Sequence, residues 1–340
     1  MKQFFIIHIL TRNKFLILKI IGIILIFILG ISVAKKITRS FDERFVLKKN
    51  DVLVKQEPPT SWKSTVGVYD EHLDHFIYYN NFYNVIEKVK NIDVLIIGNS
   101  QSLFGFEYQI IEPFSKSKNI SIYNMAFGHD ENYKFPLEII KKFNIKPKYI
   151  FADAWIFKRS TISSFGQKVI NTNYFESFKS VFEDTMSYKS AYMIHKYVPK
   201  ISFVEPKKKK ISILRSLENG SYFLEPISKT ETSSFDAINK NPFQPNLYKD
   251  EDLLQLSQAK EFKEYLDSIN TKLVLFSIPG RGYMPYRPFV EKLAKKIGAE
   301  TILPEIKSGT YFDGRHLSEI SAIEYTKKFI EEIDKKDFFK

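Results

Sequence analysis

Residues 93–102 read Asp93-Val94-Leu95-Ile96-Ile97-Gly98-Asn99-Ser100-Gln101-Ser102, and the fold turns on this stretch. A short, unbroken apolar run closed by Gly-Asn-Ser has the pattern of a strand buried on both faces and then a turn. Working outward, similar strand-like runs recur at Ile120–Met125, Lys148–Ala152, Lys272–Ile278 and, shorter, Glu300–Leu303. Helix-like segments lie between and after them: Phe106–Phe114, Glu131–Asn144, Glu251–Ile269, Pro288–Ile297 and Leu317–Ile333. In the second of these, Phe135, Leu137, Ile139, Ile140 and Phe143 make an amphipathic pattern despite Pro136. Strands alternating with helices predict an α/β fold: a doubly wound, mostly parallel sheet with helices on both faces.

The composition fits such a domain. The 340 residues suffice for one large domain or two modest ones. A 44% hydrophobic content with 31 Phe and 19 Tyr excludes a mainly disordered chain. The absence of cysteine excludes a disulfide scaffold, a thiolate zinc site, an iron–sulfur cluster and a Cys nucleophile. The net charge of +12 favours acidic partners.

Phe15 to Ala34 reads FLILKIIGIILIFILGISVA, 20 residues with the single charge Lys19. At about 1.5 Å rise per residue a helix of this length covers roughly the 30 Å hydrocarbon core of a bilayer. The run therefore predicts an N-terminal transmembrane helix, with the lipid bilayer as a partner through residues 15–34. Ser32-Val33-Ala34 leaves cleavage after a signal peptide as the alternative. The length of the segment and the further apolar run Phe4–Leu10 favour an uncleaved anchor. Basic residues flank both ends (Lys2, Arg12 and Lys14 before, Lys35, Lys36 and Arg39 after), so charge asymmetry does not orient it.

The expected organisation is a tail (1–14), the anchor (15–34), a connector and helical lead-in (35–90), the first part of the α/β domain (91–155), an insertion (156–249), the second part (250–334) and a short tail (335–340). The lead-in ends in aromatic-rich helical sequence from Asp70 to Lys90. The insertion holds 15 Lys and Arg against eight Asp and Glu, with the run Lys207–Lys210. It is expected to be a helical or irregular surface subdomain, either a solvated face or a guide for an anionic or sugar polymer. No nucleic-acid motif accompanies its charge, and no nucleic-acid partner is expected.

In a doubly wound sheet, ligands sit beyond the carboxyl ends of the strands. Two segments should arrive there: Gly98–Ser102 after the first strand, and Tyr311-Phe312-Asp313-Gly314-Arg315-His316-Leu317-Ser318 before the last helix. Gly98 is expected to allow a sharp turn that presents Ser100. Asp313 and His316, three apart on a turn, can approach each other, so that the carboxylate orients the imidazole. The other ring nitrogen can then take a proton from a serine hydroxyl. The competing structural reading makes Ser100 a helix N-cap and Asp313 a turn former; Ser102 is read as a helix cap. A second polar cluster, Asp70-Glu71-His72-Leu73-Asp74-His75, places His72 and His75 on one helix face, where a divalent metal could bind. The simpler reading is a polar helix start.

An apolar strand ending in Gly98-Asn99-Ser100, with a late Asp313-Gly314-Arg315-His316-Leu317-Ser318, resembles the SGNH (GDSL-type) hydrolase superfamily. Within it, the chain is similar to the membrane-anchored, extracytoplasmic branch that includes alginate-type O-acetyltransferases and D-alanyl transfer proteins. The resemblance covers residues 93–155 and 272–333. It implies a flavodoxin-like fold, Ser100 as nucleophile, His316 as general base and Asp313 as its orienting acid. It implies an oxyanion hole from the N–H groups of Ser100 and Gly128, the latter in Asn124-Met125-Ala126-Phe127-Gly128. It also implies a C-terminal domain outside the cytoplasm, with no metal and no organic cofactor. Its partners would be a cell-envelope polysaccharide or other O-acylated substrate, and a membrane acyl-donor protein. The chain departs from the family's third block, Gly-x-Asn-Asp, where Tyr149-Ile150-Phe151 runs into Ala152-Asp153-Ala154-Trp155. Asp153 then stands as a substrate-facing or altered residue, and an ionised carboxylate there would repel an oxyanion. The alternative function is a non-catalytic scaffold or glycan-binding subunit on the same fold.

Overall fold

The computed structural model describes residues 22, 61–66, 72–127, 131–158, 161–179, 211–225, 233–234, 251–279, 287–306, 309–312 and 316–339. The chain forms two units, residues 1–60 and 61–340. In the first, Gly22 is described and is helical; the rest of the expected anchor lies outside the described residues, as do Lys207–Lys210, Gly128 and Asp313. Among the described residues, no helix is long and apolar enough to cross a membrane.

The second unit is built on a five-stranded, all-parallel sheet of β2 (Val94–Ile97), β3 (Ile122–Asn124), β4 (Tyr149–Asp153), β8 (Lys272–Phe276) and β9 (Glu300–Ile302), in the order β3-β2-β4-β8-β9. That order is compatible with a doubly wound fold, and it places the change of winding direction between β2 and β4. β2 is apolar and buried throughout, and β8 from Leu273 to Phe276, because both faces of these inner strands are covered. Leu95, Ile97, Ile150, Ala152, Leu273 and Leu275 face one hydrophobic layer. Helices α1 (His72–Tyr79), α2 (Val85–Lys90), α5 (Lys134–Phe143), α7 (Glu251–Ser268) and α8 (Arg287–Ile297) fill that layer. The alternate residues Val94, Ile96, Phe151, Val274 and Phe276 face the other, which α4 (Tyr108–Lys118) and α9 (Glu319–Lys336) cover. Pro136 sits in the first turn of α5, where its missing N–H is not needed for the ladder.

Two segments depart from the sequence reading. The aromatic stretch before β2 is not one helix: Asn81, Tyr83 and Asn84 take positive φ of 52°, 60° and 56°, and a 3₁₀ turn at Phe82–Asn84 separates α1 from α2. The insertion is not only helical or irregular. It contributes a helix, α6 (Ser164–Asn171), and a hairpin of β5 (Ile211–Ser216) and β6 (Tyr222–Glu225). This hairpin completes a three-stranded antiparallel sheet, β1-β5-β6, with β1 (Ser61–Val66) from the expected connector. β1 (SWKSTV), β5 (ISILRS) and β6 (YFLE) carry no regular alternation of polar and apolar residues, so no period of two marks them as strands. A two-residue pairing of β7 (Ser233–Ser234) with β10 (Thr310–Tyr311) lies next to the loop that carries His316.

Candidate active site

Ser100 is the first residue of a short helix, α3 (Ser100–Gly105), at the carboxyl end of β2. The N-cap is Asn99, whose side chain accepts from the Gln101 N–H at 2.8 Å. Capping is therefore done by a neighbour, and the Ser100 hydroxyl is not used for it. It lies 2.9 Å from His316 Nε2. Both residues are half-buried, so the pair is protected yet reachable from solvent.

His316 reaches this position from a tightly closed loop. The Phe312 N–H donates to the His316 carbonyl at 3.1 Å, and the Ser318 N–H to the Thr310 carbonyl at 2.8 Å. Ser318 then caps α9. The imidazole stacks on Phe312 with centroids 5.7 Å apart at 23°, and leans on Phe104 at 4.6 Å. Two aromatic walls thus restrict the ring while Nε2 faces the serine. In the Nδ1–H tautomer, the Ser100 O–H donates to Nε2, which is the arrangement a general base requires.

Asp153 is expected from the sequence as a substrate-facing or altered residue. It ends β4, is fully buried, and accepts from the Ser102 hydroxyl at 2.7 Å and the Trp155 N–H at 3.1 Å. Burial pushes its carboxyl up to about 7, against the opposing effect of these two donors. Ser102 is therefore not a cap: it lies inside α3, fully buried, with its hydroxyl committed to Asp153. Gly98 is explained by the same pair. Its φ is not positive, but a Cβ on it would meet Ser102 Oγ at 2.1 Å, Ser102 Cβ at 2.5 Å and Asp153 Cβ at 3.0 Å. Space, not a special turn, requires glycine there.

Asn124, which sequence reasoning did not single out, joins the segment after β3 to this centre. Its Oδ1 accepts from the Ala126 N–H at 3.0 Å and its Nδ2 donates to the Ser102 carbonyl at 3.4 Å. The Phe127 N–H donates to the Gly98 carbonyl at 3.0 Å. Residues 125–127 thus lie at the carboxyl end of β2.

Of the expected histidine cluster, Asp70 and Glu71 lie outside the described residues. Among the described residues no group of three or more His, Asp or Glu is arranged to hold an ion. His75 is buried 3.4 Å from the equally buried Glu131, between Phe127, Phe135 and Phe165. Burial would raise the Glu131 carboxyl, but the His75 and Ser163 donors outweigh it and hold it below the usual range.

The structure therefore brings Ser100 and His316 together at the sheet edge and puts Asp153 beneath them. Compared with known proteins, the chain matches no family model, no curated protein and no solved structure.

Proposed function

We propose that the protein is a membrane-anchored serine acyl-transfer enzyme of the SGNH type. It would transfer an O-acyl group, acetyl by preference, to a cell-envelope polysaccharide, or hydrolyse such an ester. The observation that carries this reading is the 2.9 Å contact of Ser100 Oγ with His316 Nε2. Its position supports the reading: Ser100 follows β2 and Asp153 ends β4, the two strands that flank the change of winding direction.

The chemistry balances without a cofactor. Ser100 Oγ attacks the acyl carbonyl carbon as His316 Nε2 takes the hydroxyl proton. The tetrahedral oxyanion is expected to rest on the N–H groups of Ser100 and Gly128. Collapse breaks the bond to the leaving oxygen, which receives the proton from His316. A sugar hydroxyl or water then attacks the acyl-serine by the reverse route, with His316 again acting as base. Asp313 is expected to orient the ring. The burial of Asp153 against Ser102 and Trp155 supports activity, because the carboxyl is engaged beneath α3 and not free to face an oxyanion.

A serine-directed fluorophosphonate applied to the full-length protein tests the reading. Labelling that disappears in Ser100→Ala is expected. Absent labelling, together with no turnover of a small acetyl ester, would leave the scaffold or glycan-binding role.

A further inference from the structure

The hairpin of the insertion holds two parts of the candidate site at once. β5 is the middle strand of its sheet, paired with β1 on one side and β6 on the other. From its end, the fully buried Arg215 donates from one terminal nitrogen to the Asn124 carbonyl at 2.8 Å and the Tyr78 hydroxyl at 2.7 Å. Asp74 lies 3.8 Å from its Nε. The turn of the hairpin takes the other backbone group of the same residue: the Asn124 N–H donates to the Asn219 carbonyl at 2.8 Å. Gly220, at φ +68°, lies so close that a Cβ would come within 1.9 Å of the Asn124 carbonyl oxygen.

Asn124 ends β3, the edge strand of the parallel sheet, and both of its backbone polar groups are thus taken up by the hairpin. A buried guanidinium is costly unless its hydrogen bonds are well formed, and one of the bonds this one makes goes to the Asn124 carbonyl beside the site. The side chain of Asn124 passes the constraint on, to the Ala126 N–H and the Ser102 carbonyl. A second contact reaches the other end of α3. The Tyr222 hydroxyl donates to the Phe104 carbonyl at 3.0 Å, and its ring meets Phe104 edge-on at 4.8 Å. Phe104 is one of the two walls of His316.

We propose that the β5–β6 hairpin is a positioning element for the reactive pair, with Tyr222 and Arg215 as its positioning residues. Tyr222 fixes the C-terminal end of the serine helix and the Phe104 wall of His316. Arg215 acts through Asn124 on residues 125–127 and on the Ser102 carbonyl. The proposal rests on the reading of Ser100 and His316 as an acyl-transfer pair. Both act through Phe104 and Asn124 on the segments that carry the pair, so their loss should slow the chemical step and leave substrate binding intact. Misplacement by a fraction of an ångström is enough, since about 1 Å can cost roughly a hundredfold in rate.

The test uses full-length protein in detergent, with Tyr222→Phe and Arg215→Lys. The readouts are kcat and KM for p-nitrophenyl acetate, and amide hydrogen exchange over residues 100–105 and 124–127. Tyr222→Phe keeps the ring and removes one hydrogen bond. It should lower kcat about tenfold, leave KM within about twofold, speed exchange over 100–105 and leave Tm nearly unchanged. Arg215→Lys keeps the charge but loses the planar donor pair; it should lower kcat further and speed exchange over 124–127. Wild-type kcat and exchange in both variants would overturn the proposal. So would a loss confined to KM, which would make the hairpin a substrate-binding element. If Arg215→Lys does not fold, Tyr222→Phe decides alone. If the wild-type protein neither turns over ester nor labels at Ser100, the acyl-transfer reading falls separately. The exchange data then decide the hairpin's hold on these segments: unchanged exchange removes it, and faster exchange sustains it.

Discussion

The Ser102 hydroxyl donates to the Asp153 carboxylate at 2.7 Å, in full burial and two residues from Ser100. This bond ties the serine helix to the end of β4, and it places a titratable group under the reactive serine. Among the described residues, the Ser102 O–H and the Trp155 N–H are the donors to this carboxyl group. Two donors in an apolar layer do not offset the loss of water, and the carboxyl holds its proton up to about pH 7.

Stability should therefore fall with rising pH through this group. The folded pKa of about 7 lies above the ordinary value of roughly 3.9 in an unfolded chain. Between those values the folded state binds the proton more tightly, so the stabilisation is complete below about pH 4 and is lost as pH rises through about 7. Three units correspond to at most about 4 kcal/mol. Asp153→Asn removes the titration and should flatten this part of the profile. Urea unfolding at pH 5 and pH 8.5 measures it, because other titrating groups cancel in the comparison with wild type. Parallel profiles for the two proteins would show that the buried carboxyl does not titrate in this range.

Gly98→Ala should destabilise the domain by about 2–3 kcal/mol through overpacking. The added methyl would meet both Oγ and Cβ of Ser102. Ser102→Ala should relieve little of this, because its Cβ remains. Ser102→Gly removes both atoms, and in that background the further cost of Gly98→Ala should drop below about 1 kcal/mol. Denaturant midpoints of the four proteins form a double-mutant cycle. Simple additivity would mean that the two residues do not share the space as described.

The parallel sheet was legible because its strands are buried on both faces. Val94–Ile97 and Lys272–Phe276 each carry four buried apolar residues in a row, a pattern few other elements produce. β1, β5 and β6 were not legible, because their residues show no regular period and the pairing of β1 with β5 joins segments about 150 residues apart. Ser100 and His316 were legible from the placement of short motifs at a strand end and a helix start. The supporting shell was not. Ser102 and Asp153 are 51 residues apart, and Arg215 and Asn124 are 91 apart; local spacing carries no trace of either pair. The same holds for His75 and Glu131: the buried partner of this histidine comes from beyond β3 and not from its own cluster in the sequence.

The proposed orientation, N-terminus inside and α/β domain outside, rests on the apolar run Phe15–Ala34 and the proposed role at the cell envelope. An alkaline phosphatase fused after Lys340 should be active, and a green fluorescent protein at the same site should be dark. The reverse pattern would place the α/β domain in the cytoplasm and end the envelope-polysaccharide proposal, while leaving the chemistry of Ser100 open.

The reactive pair should behave as one unit. In the proposed mechanism Ser100 supplies the nucleophilic oxygen and His316 the proton acceptor for the same step, and their 2.9 Å contact is the geometry that step needs. Ser100→Ala and His316→Ala should each abolish turnover of a small acetyl ester. The double variant should lose little more than either single one, because groups that act together are strongly non-additive. Asp313→Asn should keep the fold and lower kcat by up to ~10⁴ if its carboxylate sets the imidazole tautomer. Thermal stability should change little in the Ser100 and His316 variants, since both side chains are only half-buried. Ser102→Ala provides the contrast: it frees a buried carboxyl of its hydroxyl donor, and should cost stability more than it costs the chemical step. Full activity in Ser100→Ala with none in Ser102→Ala would reverse the roles assigned to the two serines, and the acyl-transfer mechanism built on Ser100 would fall.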